Sequence, residues 1–591
     1  MFDYSLKPLN LGRLMRLFLV YCLVAICAPQ AFAQTVVEEN QPRERVGEQL
    51  VKLPGLDRLA PVDVSDAPFG VALRGIVILG DPQDVALSRA SKGVDLSGIE
   101  LPAGIDPSSI LEPFLGQQIS LRLLVTLRDA IVRSYIDAGR AFVAGTIPPQ
   151  EISNGVVQII ISESVLEEKK ITGLRFSDVS HIRTNIRAQV GEVVDTDQLI
   201  DDLNWLNLNP YRNLVVVAEP GKEFGRTVLN FSAQESKPWS AFFGANNNGG
   251  DATGTYRLSL GGQLANLPLI DHQLNYQFTM SPEAQVRLSQ PLTATAQAAY
   301  RSHDGNYFVP LAWRHKLRLR AALIETRSNL TGGLVSASDT RIQSLEYAVP
   351  LARTATLSPE IYGLFEAKRN ARDIYGAGTL ISAAQLDVNQ VTLGLRGNRT
   401  GRRSRTNFDL KVTGNPGGLS RFDTATAHAS FSGNPNADPR YAYVFANVQN
   451  ALSVANGVTF VSSGTVQYAN ASLPSTEVLG IGGPSTVRGH SVSEASGDRG
   501  YFLRNELHFD IKPKMSLAEA RALDLAGFLD IGFVEDLFRN RKQSLSGAGL
   551  SLSAQFDQNI AFDASVGVAL NDGETSRRGD VQINFNLNVG F

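Results

Sequence analysis

The sequence predicts a mixed chain: a signal segment, two small α+β modules, then a large transmembrane antiparallel β-barrel of about 16 strands. Three observations carry this. Residues 1–33 have the layout of an export signal, with Lys7, Arg13 and Arg16 ahead of the apolar run LFLVYCLVAICA and an Ala31-Phe32-Ala33 cleavage site. Helix-period and strand-period segments then recur in one order, twice. From Lys237 to Phe591 helical periodicity all but disappears and period-2 alternation replaces it.

Composition narrows the functional classes. The 591 residues carry a net charge of -3, which leaves no basic footprint for nucleic acid. Both cysteines, Cys22 and Cys27, lie inside the signal segment. A mature chain starting at Gln34 therefore has no disulfide framework, thiolate metal site or cysteine nucleophile. No later apolar run reaches the ~18 residues that a spanning helix needs, so membrane insertion would require a closed barrel.

Residues 34–69 read as a polar, proline-punctuated linker. Val46, Leu50 and Leu53 recur at helical spacing there, consistent with a short helix. Residues 70–163 form the first module. ALRGIVILG is an apolar strand, DPSSILEPFLG a helical turn or two, and SLRLLVTLRDAIVRSYIDAG an amphipathic helix with Leu124, Leu127, Ile131 and Tyr135 on one face. Ser120 is its N-cap and Gly139 its stop. AFVAGTI and GVVQIIIS close the module as strands. Residues 164–236 repeat the order. The strand LEEKKITGLRF is followed by a helix in SHIRTNIRAQVG with Ile182, Ile186 and Val190 on one face. A second helix starts at Asp195 or Thr196 and ends before Pro210, and two strands follow.

Residues 237–591 alternate. Val581, Ile583, Phe585, Leu587, Val589 and Phe591 face one way, and Gln582, Asn584, Asn586 and Asn588 the other. Leu503, Leu507, Phe509 and Ile511 oppose Arg504, Glu506, His508 and Asp510; Leu529, Ile531 and Phe533 oppose Asp530. Alternation alone does not separate a soluble sandwich from a membrane barrel. The length of the region, its missing helical layer, its long polar loops and its terminal phenylalanine favour the barrel.

One stretch stands apart: LGIGGPSTVRGHSVSEASGDRG, from Leu479 to Gly500, with six glycines and no apolar run. It lacks the Lys-Ser/Thr of a Walker loop and no helix pattern follows it. A loop of that length is functional or disordered. The seven histidines show no metal-ligand spacing, and no G-x-S-x-G marks a hydrolase.

The combination of GGPSTVRGH, SGDRGYFLRNEL, GFLDIGFV and LNLNPYRNLVVVAEPGKEFGRTVLNFSAQE resembles the two-partner secretion transporters, the TpsB proteins of the haemolysin and filamentous-haemagglutinin secretion family. The resemblance spans nearly the whole mature chain. It implies two periplasmic POTRA modules, 70–163 and 164–236, that capture an unfolded TpsA-type exoprotein, and a 16-stranded barrel, 237–591, that passes it outward. It implies an outer-membrane location, contact with outer-membrane lipid and insertion by the barrel assembly machinery. With no nucleotide site, metal-ligand spacing or hydrolase motif in the sequence, no cofactor, no metal and no enzymatic activity are expected. Val487, Arg488, Gly489 and His490 would form the lumen-inserted tip of loop six, with Arg488 paired to Asp530 of F-x-D-x-G and Phe591 as the terminal barrel signal. His490 stands where the family has Tyr or Phe. The helix at Val46–Leu53 would match the family's plug helix. A client segment would add to a module strand, with Gly155–Ser162 and Thr227–Ala233 as candidates. A BamA-type insertase is the nearer alternative. A barrel enzyme or a passive pore leaves the two modules unexplained.

Overall fold

The computed structural model describes residues 64–591, apart from 103, 224, 283, 285–297, 331–332, 352–355, 512–520 and 557–558. The signal segment and the Val46–Leu53 helix lie outside the described residues.

The first module holds strands β1 (Gly75–Leu79), β2 (Gly93–Gly98), β3 (Val143–Thr146) and β4 (Val156–Glu163), with helices α1 (Pro107–Leu111) and α2 (Leu121–Asp137). Its sheet order is β2-β1-β4-β3. Helix α2 starts where the Ser120 hydroxyl accepts the Leu123 N–H at 3.1 Å. It stops at Gly139, whose φ of 77° favours glycine. Leu124, Leu127, Ile131 and Tyr135 pack on Ile76, Ile78, Val157 and Ile159 of the sheet. Strand β2 escaped the sequence reading because GVDLSG is too short and too polar to alternate visibly.

The second module holds β5 (Val165–Thr172), α3 (Val179–Asn185), α4 (Thr196–Leu206), β6 (Arg212–Pro220) and β7 (Arg226–Glu235), with sheet order β5-β7-β6. Asp195 caps α4 by accepting the Gln198 N–H at 2.9 Å. Helix α3 is shorter than its periodicity suggests. Ile182 and Ile186 enter the core, but the chain turns extended at Ile186 and Val190 is left 60% exposed. The turn is held by buried Asp202, which accepts the Arg187 N–H at 2.7 Å and its Nε at 2.7 Å.

These sheet orders correct the expected capture strands. Gly155–Ser162 maps to β4 and Thr227–Ala233 to β7, and both strands are central, paired on each side. A central strand has no unpaired N–H or C=O row to offer an added strand. Their strong apolar character, the reason for choosing them, is the mark of that central position.

The barrel strands on the module side of the chain are β8 (Trp239–Asn246), β9 (Arg257–Ala265), β10 (Gln273–Met280), β11 (Ala299–Pro310), β12 (Lys316–Asn329) and β13 (Leu334–Pro350). Then come β14 (Leu357–Gly376), β15 (Thr379–Thr400), β16 (Ser404–Asn415), β17 (Tyr441–Ala455) and β18 (Val458–Ala469). A short ribbon, β19 (Leu479–Ile481) and β20 (Ala495–Gly497), interrupts them. The last five are β21 (Arg499–Ile511), β22 (Ala522–Asp536), β23 (Arg541–Gln555), β24 (Ile560–Ala569) and β25 (Val581–Gly590). Leaving out the ribbon, they close into one antiparallel barrel of 16 strands, with β25 paired to β8. Leu503, Leu507, Leu529 and Ile531 lie on the exposed outer face, while Asp530 is fully buried on the inner one. That polarity is the inverse of a soluble sandwich and suits a lipid surround.

Strand β8 leaves the second module, so the turns at that end face the modules. Two of them grip the second module. In the β9–β10 turn, Asp271 accepts from Arg212 at 2.9 Å, His181 at 2.7 Å and Asn209 at 2.9 Å. In the β11–β12 turn, Arg314 meets Asp202 at 2.7 Å and Asp201 at 3.2 Å. At the opposite end the longest connections are those from β16 to β17 and from β18 to β21. One of them carries helix α5 (Ala425–Ser432), which packs Phe431 against Leu386 of the inner wall.

Candidate functional site: an arm of loop six in the barrel lumen

The connection from β18 to β21 is the sixth loop on the side away from the modules. The ribbon β19–β20 gives it a stem, with Leu479 opposite Gly497 and Ile481 opposite Ala495. Leu479, Ile481, Val487 and Ala495 bury themselves against Val534 of β22 and Leu545 of β23. A segment without an apolar run thus still anchors, because its few apolar residues all point to the same wall.

Arg488 lies at the tip, 3% exposed. Its Nε donates to Asp530 Oδ2 at 2.7 Å and its Nη2 to Asp530 Oδ1 at 2.8 Å. Its backbone N–H reaches the same carboxylate at 3.2 Å. Nη2 also lies 2.7 Å from Glu506 Oε1 on β21, and the guanidinium sits 3.5 Å from the Phe528 ring centre. Arg504 and His508 flank Glu506 at 2.9 Å each. The wall therefore offers two carboxylates and an aromatic face to one planar, forked cation.

Glycine makes the approach possible. Gly489 has φ of 94°, and a Cβ on Gly547 of β23 would stand 1.8 Å from the Arg488 carbonyl oxygen. Val487 packs on Gly532 of β22, where a Cβ would be 2.9 Å from its Cγ2. His490 turns its ring into the wall. Nε2 lies 3.0 Å from the Ser546 carbonyl oxygen, and Nδ1 faces Glu494 Oε2 at 3.3 Å, within ion-pair range but off line for a hydrogen bond. Phe591 does not approach this arm. Its backbone exchanges hydrogen bonds with Ala241 at 2.8 and 3.3 Å, beside β8, and its ring is exposed.

Sequence reasoning missed the other ties. At the base of the arm, Glu477 accepts from Lys368 Nζ at 3.0 Å, Gln390 Nε2 at 2.9 Å and the Tyr443 hydroxyl at 3.1 Å. Asp498 accepts the N–H groups of Leu473 at 2.6 Å and Leu537 at 2.7 Å. Glu477 and Glu494 were legible only as acids inside a small-residue loop. Glu506 shared the strand face of Arg504 and His508, which was the available signal.

An apolar-jacketed barrel, α+β modules at one mouth and a polar arm pinned inside define an outer-membrane β-barrel transporter with its modules in the periplasm. Residues 225–554 match the haemolysin secretion/activation protein ShlB/FhaC/HecB family, and residues 90–164 match the ShlB-type POTRA domain. The chain belongs to that secretion/activation family. It is 22% identical over 461 residues to the heme/hemopexin transporter protein HuxB of Haemophilus influenzae, covering 75% of this chain and 77% of the relative. It is 24% identical over 413 residues to the outer membrane transporter CdiB of Dickeya dadantii, covering 68% and 69%. The solved structure of CdiB from Escherichia coli shares the fold, with a TM-score of 0.67 at 18% identity over 91% of this chain and 94% of that one.

Proposed function

We propose that this chain captures an unfolded exoprotein in the periplasm and exports it through the barrel, as one half of a two-partner secretion pair. The observation that carries the reading is the lumen-inserted arm pinned by Arg488 and Asp530, in a barrel whose mouth is flanked by two α+β modules. On this reading residues 70–163 and 164–236 are two POTRA modules and 237–591 the barrel. Residues Val487–His490 form the tip that sets the state of the pore, with Asp530 as its partner. Outer-membrane lipid surrounds the barrel, and the barrel assembly machinery recognises the strand ending at Phe591. The work is transport, not catalysis. Folding of the client outside makes return unfavourable.

The capture edge follows from which edges are already closed. Strand β3 has only four residues, and on β2 the Asp95 side chain folds back to Ser97. The outer edge of β5 is taken at its start by residues 191–193 and carries Glu167, Glu168, Lys169 and Lys170 beyond it. On β6, Asn207 satisfies both the N–H and C=O of Leu214, which face away from β7. Alternation then turns the backbone groups of Val216 and Ala218 outward too, beside exposed Val217. We assign client capture to this half of β6. The test is Ala218→Pro in the full chain, which removes an outward N–H without touching the β6–β7 ladder. Export of a co-expressed client should fall while the barrel still inserts. Parental export would overturn the edge, and parental export after deletion of residues 70–236 would overturn the receptor role.

A further inference from the structure

The loop between β24 and β25, residues 570–580, is wrapped around one side chain of the loop-six arm. Glu494 Oε1 accepts the N–H of Thr575 at 2.9 Å and of Ser576 at 2.7 Å. Glu494 Oε2 accepts the Ser576 hydroxyl at 2.6 Å and the N–H of Ser491 at 3.0 Å. Both side chains are buried. The fit is close: a Cβ on Gly573 would lie 2.0 Å from Glu494 Oε1. His490 faces the same carboxylate from the arm. A carboxylate that receives this many donors from one loop makes a rigid joint. It is separate from the Arg488–Asp530 pair, which grips β22.

The joint bears on the seam of the barrel. Strand β25 pairs with β8 only from Asn586 to Gly590, opposite Phe242–Asn246. Above that, the Asn247 side chain clips the Ile583 carbonyl at 2.7 Å and the Phe585 N–H at 2.8 Å. Val581 and Gln582 have no β8 partner among the described residues. The outer end of the closing strand is therefore short of ladder bonds on its β8 side, which is the side that closes the barrel. What stands directly above it is the loop that Glu494 holds.

We propose that Glu494 is a positioning residue for export: it fastens the loop-six arm to the β24–β25 hairpin, so that docking of the arm keeps the outer end of the β25–β8 seam closed. The proposal rests on the transport reading, but its test needs no client. Full-length Glu494→Ala and Ser576→Ala are reconstituted in planar lipid bilayers, with barrel folding checked by heat-modifiable mobility. Both should open several-fold more often than the parent, Glu494→Ala more than Ser576→Ala. A disulfide then replaces the carboxylate. The chain has no cysteine beyond Cys27, so in a chain that starts at Gln34 Ser491→Cys with Ser576→Cys in the Glu494→Ala background gives one unique pair. It is placed where the Ser491 N–H stands 3.2 Å from Ser576 Oγ. Oxidation should return the openings to the parental level, and reduction should release them again. Parental openings in both single variants overturn the proposal, as does an oxidised pair that leaves the openings of Glu494→Ala unchanged. If Glu494→Ala fails to fold, Ser576→Ala alone decides by the same criterion. Loss of folding without a change in seam behaviour is what a merely structural role would give. Should export prove not to be the function, the bilayer result stands by itself.

Discussion

Arg488 and Asp530 are joined by three hydrogen bonds across 42 residues of chain, two from the guanidinium fork and one from the Arg488 backbone. The pair sits inside the barrel with Asp530 fully buried. Removing Arg488 leaves Asp530 a buried, unpaired charge, at a cost of about 3–5 kcal/mol, while removing the Asp530 charge leaves Arg488 with Glu506 alone and without its fork. Asp530→Asn should therefore loosen the arm and cut export sharply. Arg488→Lys should behave much like Arg488→Ala, because an ammonium cannot span both carboxylate oxygens and stack on Phe528. Quantifying secreted client against inserted barrel checks this, and parental export by Arg488→Lys would contradict it.

The second prediction concerns the glycine beneath the tip. Gly547→Ala drives a methyl into the Arg488 carbonyl, whereas Gly363 has open space around a Cβ. Overpacking of a fixed contact costs about 1–3 kcal/mol. Gly547→Ala should displace the arm and reduce export. Gly363→Ala should change neither export nor the heat at which the barrel unfolds.

The barrel was legible because lipid on one side and polar side chains on the other enforce strict period 2, as in VQINFNLNVGF. The α2 and α4 helices were legible because Ser120 and Asp195 punctuate apolar repeats. The Arg488–Asp530 contact was legible through family motifs, not through spacing, since nothing local joins residues so far apart. The true sheet edges were not. Strand order is a tertiary property, and the most apolar segments, β4 and β7, are those most enclosed. The Glu494 and Glu477 joints were hidden for a similar reason. A lone acid in a glycine-rich loop has no pattern until the wall or loop that receives it is known.

A third prediction follows from the joint between the second module and the barrel. Burial would raise the Asp271 carboxyl, but the His181 hydrogen bond and the Arg212 charge outweigh it and hold the group at about 2, below its ordinary 3.8. A depressed carboxyl contributes stability that is fully present above the ordinary value and is lost as pH falls through the folded one. The Asp271 contribution should therefore be constant at neutral pH and vanish between about pH 4 and 2. Asp202, in the neighbouring contact, is raised by burial against the pull of Arg187 and Arg314, so its pH effect runs the other way. The difference between parent and Asp271→Asn isolates the Asp271 contribution. Protease nicking at the junction near residue 236 measures it. The variant should be nicked faster at pH 7 and converge with the parent near pH 2. Equal nicking at pH 7 would show that the contact does not hold the module.

The base of the arm separates stability from function most cleanly. Lys368 and Glu477 meet at 3.0 Å with both side chains buried, and Gln390 and Tyr443 complete the shell of Glu477. Lys368→Met leaves Glu477 buried with neutral partners only, and Glu477→Leu leaves Lys368 with Glu366 at 3.1 Å. Each single change should lower the temperature of heat-modifiable unfolding. Lys368→Met should do so by more, up to about 3–5 kcal/mol, the cost of a broken buried pair, since Lys368 keeps Glu366 in Glu477→Leu. The double change replaces Lys368 and Glu477 with apolar groups but takes the cation from Glu366, so it should recover part of that loss. Glu366 keeps its bond from Gln390 in that background. If the pair serves only the barrel wall, export should recover with stability. If it fixes where the arm leaves β18, export should stay low although the stability has risen above that of Lys368→Met. The latter is expected, because Glu477 belongs to the arm and Lys368 to the wall, so the double variant recovers part of the wall's stability while leaving the arm untied. A double variant that recovers both stability and export would place the working contacts of the arm at its tip alone.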